Sequence, residues 1–167
     1  MKPLSIYIGE DLLLIQPSFF KREYELRSSD GLLAKMYFPS FFSLTAVVEG
    51  FNEKYEIIRP SFWKNDIAIR KFGYDMTFAS LTINFFRTKG FIDLQNGRKL
   101  NLKFGVFKKS CQVFSESEEL LLLFQNRFSL KQQNIVSIQK SSSLIDENPW
   151  VIMMIWYQIL QRNRNNS

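Results

Sequence analysis

The 167-residue chain contains no histidine and a single cysteine, Cys111. An imidazole acid or base, a Cys/His zinc set and an intrachain disulfide are therefore excluded. A lone cysteine in the strand-like run from Ser110 to Phe114 reads as a small buried residue, with a nucleophile as the less favoured alternative. Glycine is also scarce, at seven residues, which leaves little room for a phosphate-cradling loop, and no serine elbow or metal motif is present. Carboxylates such as Asp66 and Asp75 are not paired by their spacing, and Glu116, Glu118 and Glu119 read as an acidic turn. The expectation is a non-enzymatic protein with no cofactor and no metal. In the opening stretch, MKPLSIYIGEDLLLIQ, Glu10 and Asp11 interrupt the apolar residues and no small-residue cleavage site follows, unlike a signal peptide. With disulfides missing as well, a cytoplasmic, reducing compartment is expected.

Aromatic residues, by contrast, are abundant. Seventeen Phe bring the aromatic share to 16%, which favours strands, while 46% hydrophobic and 23% charged residues are ordinary for a globular protein. The size suits one domain with one core, over 1–164, followed by a short polar tail at 165–167. From residue 12 to about 140 the chain is a succession of short apolar or alternating runs broken by turn residues, about a dozen in all. Asp30-Gly31 joins two of them, Pro39 and Pro60 end others, and Asn96-Gly97 is the strongest hairpin signal. No linker, boundary or repeat interrupts the series. This pattern predicts a mainly β fold, an antiparallel meander closed as a barrel or sandwich.

The stretch ENPWVIMMIWYQIL differs in kind. Asp146 and Glu147, a candidate N-cap at Asn148 and Pro149 at the first helical position mark a helix start, and Arg162 and Arg164 suit its C-terminal end. The preceding Ser141 to Ser143 reads as a short loop. Trp150 to Leu160 rises roughly 16 Å as a helix, about half of a ~30 Å hydrocarbon core, so it cannot span a bilayer. Gln158 alone supplies no polar stripe for an interfacial helix. A helix apolar on every side is normally buried on every side. Trp150, Ile152, Met153, Ile155, Trp156, Ile159 and Leu160 are accordingly expected to form a central core element.

A barrel of about twelve strands followed by one wholly apolar helix resembles the tubby C-terminal-like superfamily, within it the LURP-one-related and phospholipid-scramblase-like domains. The matching features are YELRSSDGLLAKMYFPS (Tyr24 to Ser40), FIDLQNGRKLNLKF (Phe91 to Phe104) and NPWVIMMIWYQIL (Asn148 to Leu160). The resemblance implies a closed antiparallel barrel with the hydrophobic helix in its lumen, and a binding or adaptor role. Tubby domains bind phosphoinositides at the inner membrane face, and scramblase-like members associate with membranes. No stretch matches the tubby lipid-binding residues, and the cysteine cluster and membrane segment of scramblase-like proteins are absent.

One local feature bears on function. Between Arg87 and Lys109 stand Arg87, Lys89, Arg98, Lys99, Lys103, Lys108 and Lys109 against Asp93 alone, which accounts for the whole net charge of +6. A two-residue Asn96-Gly97 loop would put Lys89 on the same face as Leu100, Leu102 and Phe104. A three-residue loop, Gln95-Asn96-Gly97, read as a type I turn with a left-handed Gly97, instead pairs Leu94 with Arg98, Ile92 with Leu100 and Gly90 with Leu102. The outer face then carries Asp93 beside Lys99, an exposed Phe91 beside Asn101, and Lys89 beside Lys103. Arg87, Lys89, Lys99, Lys103, Lys108 and Lys109 are the candidate anion-binding residues. A basic outer face can simply keep a barrel soluble. As a site, it would favour anionic phospholipid headgroups at a membrane surface over nucleic acid, since only Phe91 is offered for stacking. The alternatives are a structural or protein-interaction domain with no lipid ligand, and a carrier for a small apolar ligand.

Overall fold

Every apolar run between residues 12 and 140 becomes a strand. The computed structural model describes residues 3–18, 20–60, 66–105, 110–126 and 133–164. The strands are β1 (Asp11–Ile15), β2 (Glu23–Ser28), β3 (Gly31–Tyr37), β4 (Ala46–Gly50), β5 (Glu53–Ile58) and β6 (Ile67–Lys71). They continue with β7 (Thr77–Ile83), β8 (Lys89–Asp93), β9 (Lys99–Phe104), β10 (Cys111–Phe114), β11 (Leu120–Asn126) and β12 (Gln133–Ile138). Each pairs antiparallel with its sequence neighbours, and β1 pairs with β12, Asp11 opposite Ser137 and Ile15 opposite Gln133, so the sheet closes as a barrel. Closure leaves no sheet edge unpaired.

Alternation sorts the side chains. In β9, Lys99, Asn101 and Lys103 face out, while Leu100, Leu102 and Phe104 are buried. The same period buries Leu12 and Leu14 of β1, Ile67 and Ile69 of β6, and Val136 and Ile138 of β12. At Leu121 a bulge in the β10–β11 pairing adds one residue, which is also buried.

A twelve-stranded barrel encloses more volume than its inward side chains can fill. The helix α2 (Val151–Arg164) occupies that lumen: every residue from Val151 to Leu160 is buried. Its contacts reach opposite walls. Trp156 packs edge-on against Tyr24 of β2, Trp150 against Phe78 of β7, and Tyr157 stacks on Phe38, just beyond β3. Arg162 lies over Phe104 of β9, six strands around from β3. The Tyr157 hydroxyl donates to the Leu44 carbonyl at 2.5 Å. Gln158 and Gln161 are buried with the apolar residues, 4% exposed each. No helix among the described residues is long and apolar enough to cross a membrane.

The approach to α2 differs from the sequence reading. Ser142 caps a short helix, α1 (Ser143–Asp146), by accepting from the Leu144 N–H at 3.2 Å, so the serine run is a capping segment rather than a plain loop. Asn148 and Pro149 form a turn ahead of α2, with Val151 N–H donating to the Asn148 carbonyl at 3.1 Å. Asp146 accepts from both the N–H and the hydroxyl of Ser5, 2.8 Å each, tying α1 to a 3-10 turn at Leu4–Tyr7. These contacts close one end of the barrel beneath the helix start.

Candidate functional site

The hairpin of β8 and β9 has the register of the three-residue loop. Asp93 opposes Lys99, Ile92 opposes Leu100, Gly90 opposes Leu102 and Lys89 opposes Lys103, and the Leu94 N–H donates to the Arg98 carbonyl at 2.8 Å. The turn itself departs from a type I geometry, because Asn96 (φ 65°) as well as Gly97 (φ 73°) is left-handed. Gly90 is a close-approach position: a Cβ there would lie 2.7 Å from the Thr82 carbonyl oxygen of β7.

The structure divides the candidate residues into two groups. Lys99 stands near the turn, where it makes a 3.3 Å ion pair with Asp93, its N–H donates to Glu116 Oε1 at 2.7 Å, and its ammonium lies 5.0 Å from the Phe91 ring centre. Phe91 is therefore half-buried rather than exposed as the register argument suggested. Lys103 is four residues further along β9, roughly 13 Å away at ~3.3 Å per residue. There it faces Lys89 across the ladder, with Cβ atoms about 5 Å apart. Arg87, left-handed at φ 55°, ends the turn that leads into β8. No ion pair to Arg87, Lys89 or Lys103 occurs among the described residues. Lys103 instead rests 4.6 Å from the centre of the Phe114 ring. Lys108 and Lys109 lie outside the described residues.

A fourth cation joins this shoulder. Arg162, assigned from sequence to the helix dipole, is half-buried over Phe104, 4.6 Å from the ring centre. Burial pulls its pKa down, and the nearby Arg87 charge adds to that depression. Next to the shoulder a groove of about 460 Å³ runs over β9, β10 and β11, lined by Lys103, Gln112, Leu123, Gln125 and Asn126. The amides could have been found from the barrel order, because Gln112 is an outward residue paired with both Lys103 and Leu123. Cys111, the neighbour of Gln112, points inward and is fully buried, and burial pushes its thiol pKa far up.

Charge is also segregated along the barrel axis. Odd-numbered strands run toward one end, here termed the upper end, and α2 runs the same way. Among the described residues the lower connections carry Glu10, Asp30, Asp75, the three glutamates of the Glu116–Glu119 turn, Asp146 and Glu147, eight carboxylates, against Arg98 and Lys140. Arg98 and Lys140 are both paired, to Glu147 and Glu119. The described upper connections carry Lys21, Arg22, Arg59 and Arg87 against Asp66. Lys89 and Lys103 stand just below this upper rim.

No family model and no curated protein matches the chain. Its fold is similar to that of the X-ray structure of a protein from Arabidopsis thaliana, with a TM-score of 0.62 over 91% of each chain at 13% sequence identity. At that identity the likeness concerns the fold.

Proposed function

We propose that this barrel is a non-enzymatic, tubby-like or LURP-one-related binding or adaptor module that recognises anionic phospholipid headgroups at a membrane surface. The observation that carries the reading is the juxtaposition of Lys89, Lys103 and Arg87, with Arg162 close by, at a shoulder where no carboxylate among the described residues pairs with them. Like charges held across a ladder destabilise it, so an anion bound between them gains from both cations while relieving their repulsion. The adjacent groove offers amide donors from Gln112, Gln125 and Asn126, with room for a phosphate-bearing headgroup. Lys99 is less suited to the role because Asp93 already satisfies it. A protein-interaction domain without a lipid ligand is the second reading. The apolar-carrier reading has less support, since α2 occupies the lumen that such a ligand would need.

Co-sedimentation with phosphatidylcholine vesicles, with and without acidic lipid, tests the proposal. Binding is expected only to the acidic vesicles, to weaken with salt, and to be lost in Lys89→Glu with Lys103→Glu. Binding that ignores both the charge reversal and the salt would remove the headgroup reading.

A further inference from the structure

Among the described residues, five phenylalanines stand in solvent at the upper end: Phe20, Phe41, Phe42, Phe85 and Phe86 are 71% to 99% exposed. Two loops display four of them as pairs. In the β7–β8 connection, the Arg87 N–H donates to the Asn84 carbonyl at 2.9 Å, and the Asn84 side-chain oxygen accepts from the N–H groups of Thr88 and Lys89 at 2.9 and 3.0 Å. This closed turn sets Phe85 and Phe86 at its tip, edge to face, with centroids 5.5 Å apart. In the β3–β4 connection the Arg22 guanidinium stacks 3.7 Å from the Phe38 ring centre and donates to the carbonyls of Phe41 (2.6 Å) and Ser43 (3.1 Å). Phe41 and Phe42 project from that clamp, again edge to face at 5.4 Å. Because these loops are closed by their own hydrogen bonds, less backbone ordering remains to be lost when their apolar tips bind.

We infer that the upper end of the barrel docks end-on against an anionic bilayer, with the Phe41–Phe42 and Phe85–Phe86 tips entering the interfacial layer. The inference rests on the headgroup reading and adds a docking pose to it. Three features favour a membrane over another occupant. The two pairs sit on loops separated around the rim, so a planar fluid surface can engage both without shape complementarity. Cations flank each pair: Arg22 and Lys21 on one side, Arg87 and Lys89 on the other. The eight lower-end carboxylates are repelled from an anionic surface, which turns the upper end toward it. At the lower end exposed Met76 stands beside Asp75 and lacks that complementarity.

The experiment adds one tryptophan at a time to the three already in the chain, Phe85→Trp or Phe42→Trp, with Met76→Trp as the lower-end control, and reads each as the difference from the parent protein. Each is titrated with vesicles containing acidic lipid and bromine-labelled acyl chains. The two upper reporters are expected to shift blue and be quenched, and the control to do neither. In a second arm, Phe41→Ser/Phe42→Ser/Phe85→Ser/Phe86→Ser should retain the thermal stability of the parent, yet lose about tenfold or more in vesicle affinity. It should also lose the part of binding that resists high salt. If the parent protein binds acidic vesicles but the upper reporters stay unquenched and the serine variant binds equally well, the end-on pose is overturned and the headgroup reading stands. If the parent protein binds no acidic vesicle, both fall. A phenylalanine-dependent dimer in sedimentation velocity, with no vesicle binding, assigns the rim to a second copy of the chain and overturns the inference.

Discussion

Replacing Lys89 with glutamate should make the protein more stable and a poorer membrane binder at once. Lys89 and Lys103 oppose one another in the β8–β9 ladder, and Lys89 is exposed with no ion pair among the described residues. Reversing one charge converts a repulsive cross-strand pair into an attractive one, a change of about 0.2–1 kcal/mol. For a chain of this length that is a rise in Tm of roughly 0.4–4 °C. The same substitution removes one cation from the shoulder and adds one anion. At about 1 kcal/mol per charge near an anionic surface, affinity for acidic vesicles falls by ~2 kcal/mol, or about 30-fold. Urea denaturation followed by circular dichroism measures the first effect, and vesicle titration at 0.1 M salt the second, with Lys89→Ala falling between. A loss of 1 kcal/mol or more in stability would show that Lys89 supports the ladder in some other way. Unchanged affinity would refute the assignment of the shoulder as a headgroup contact.

Three further outcomes follow from the interior. Trp156→Ala empties the centre of a lumen whose hydrogen-bonded wall cannot collapse, so it should cost about 3–5 kcal/mol and lower the urea midpoint, with Phe85→Ala within about 0.5 kcal/mol as the exposed control. Asp146→Ala strips the acceptor from two Ser5 donors and should cost about 1–3 kcal/mol, measured in the same denaturation series. Cys111 and Tyr55 both have raised pKa values because burial disfavours their anions, that of Tyr55 reaching about 12. The unfolded chain then releases these protons first, so their stabilising contribution is complete below the unfolded thiol pKa and is lost as pH rises from there toward the folded values. Denaturation midpoints should fall on the alkaline side, less steeply in Cys111→Ala, and the native thiol should react with a disulfide reagent only at the rate of opening.

The barrel was legible because its evidence is periodic. Alternation, Asp30-Gly31 and Asn96-Gly97 are written in neighbouring residues, and the all-apolar Trp150 to Leu160 implied burial without saying what surrounded it. Parity also placed Lys89 against Lys103 correctly. It did not predict the half-burial of Phe91, because parity tells the face but not which long side chain folds over it, and Lys99 does. The α1 cap at Ser142 escaped notice because a serine run is equally a loop until its hydrogen bond is seen. Summing charge along the chain located a basic hairpin but hid the axial segregation. In an up-and-down barrel every second connection shares an end, so residues as distant in sequence and around the wall as Arg22 and Arg87 come to share one rim.

The order in which this wall closes also bears on how the protein is made. The seam between β1 and β12 joins the first strand to the last, and the segment that fills the lumen follows both. Synthesis therefore produces an eleven-strand meander with two open edges and an empty apolar face before either partner needed to complete it exists. A barrel zipped before α2 docks would enclose an empty lumen lined by apolar side chains. Contacts between residues more than a hundred positions apart make the final step slow. During that interval the unpaired β1 edge and the uncovered interior strands invite association with other chains. Helper proteins that shield such edges should raise the yield of folded protein more than any improvement in the strength of the finished core.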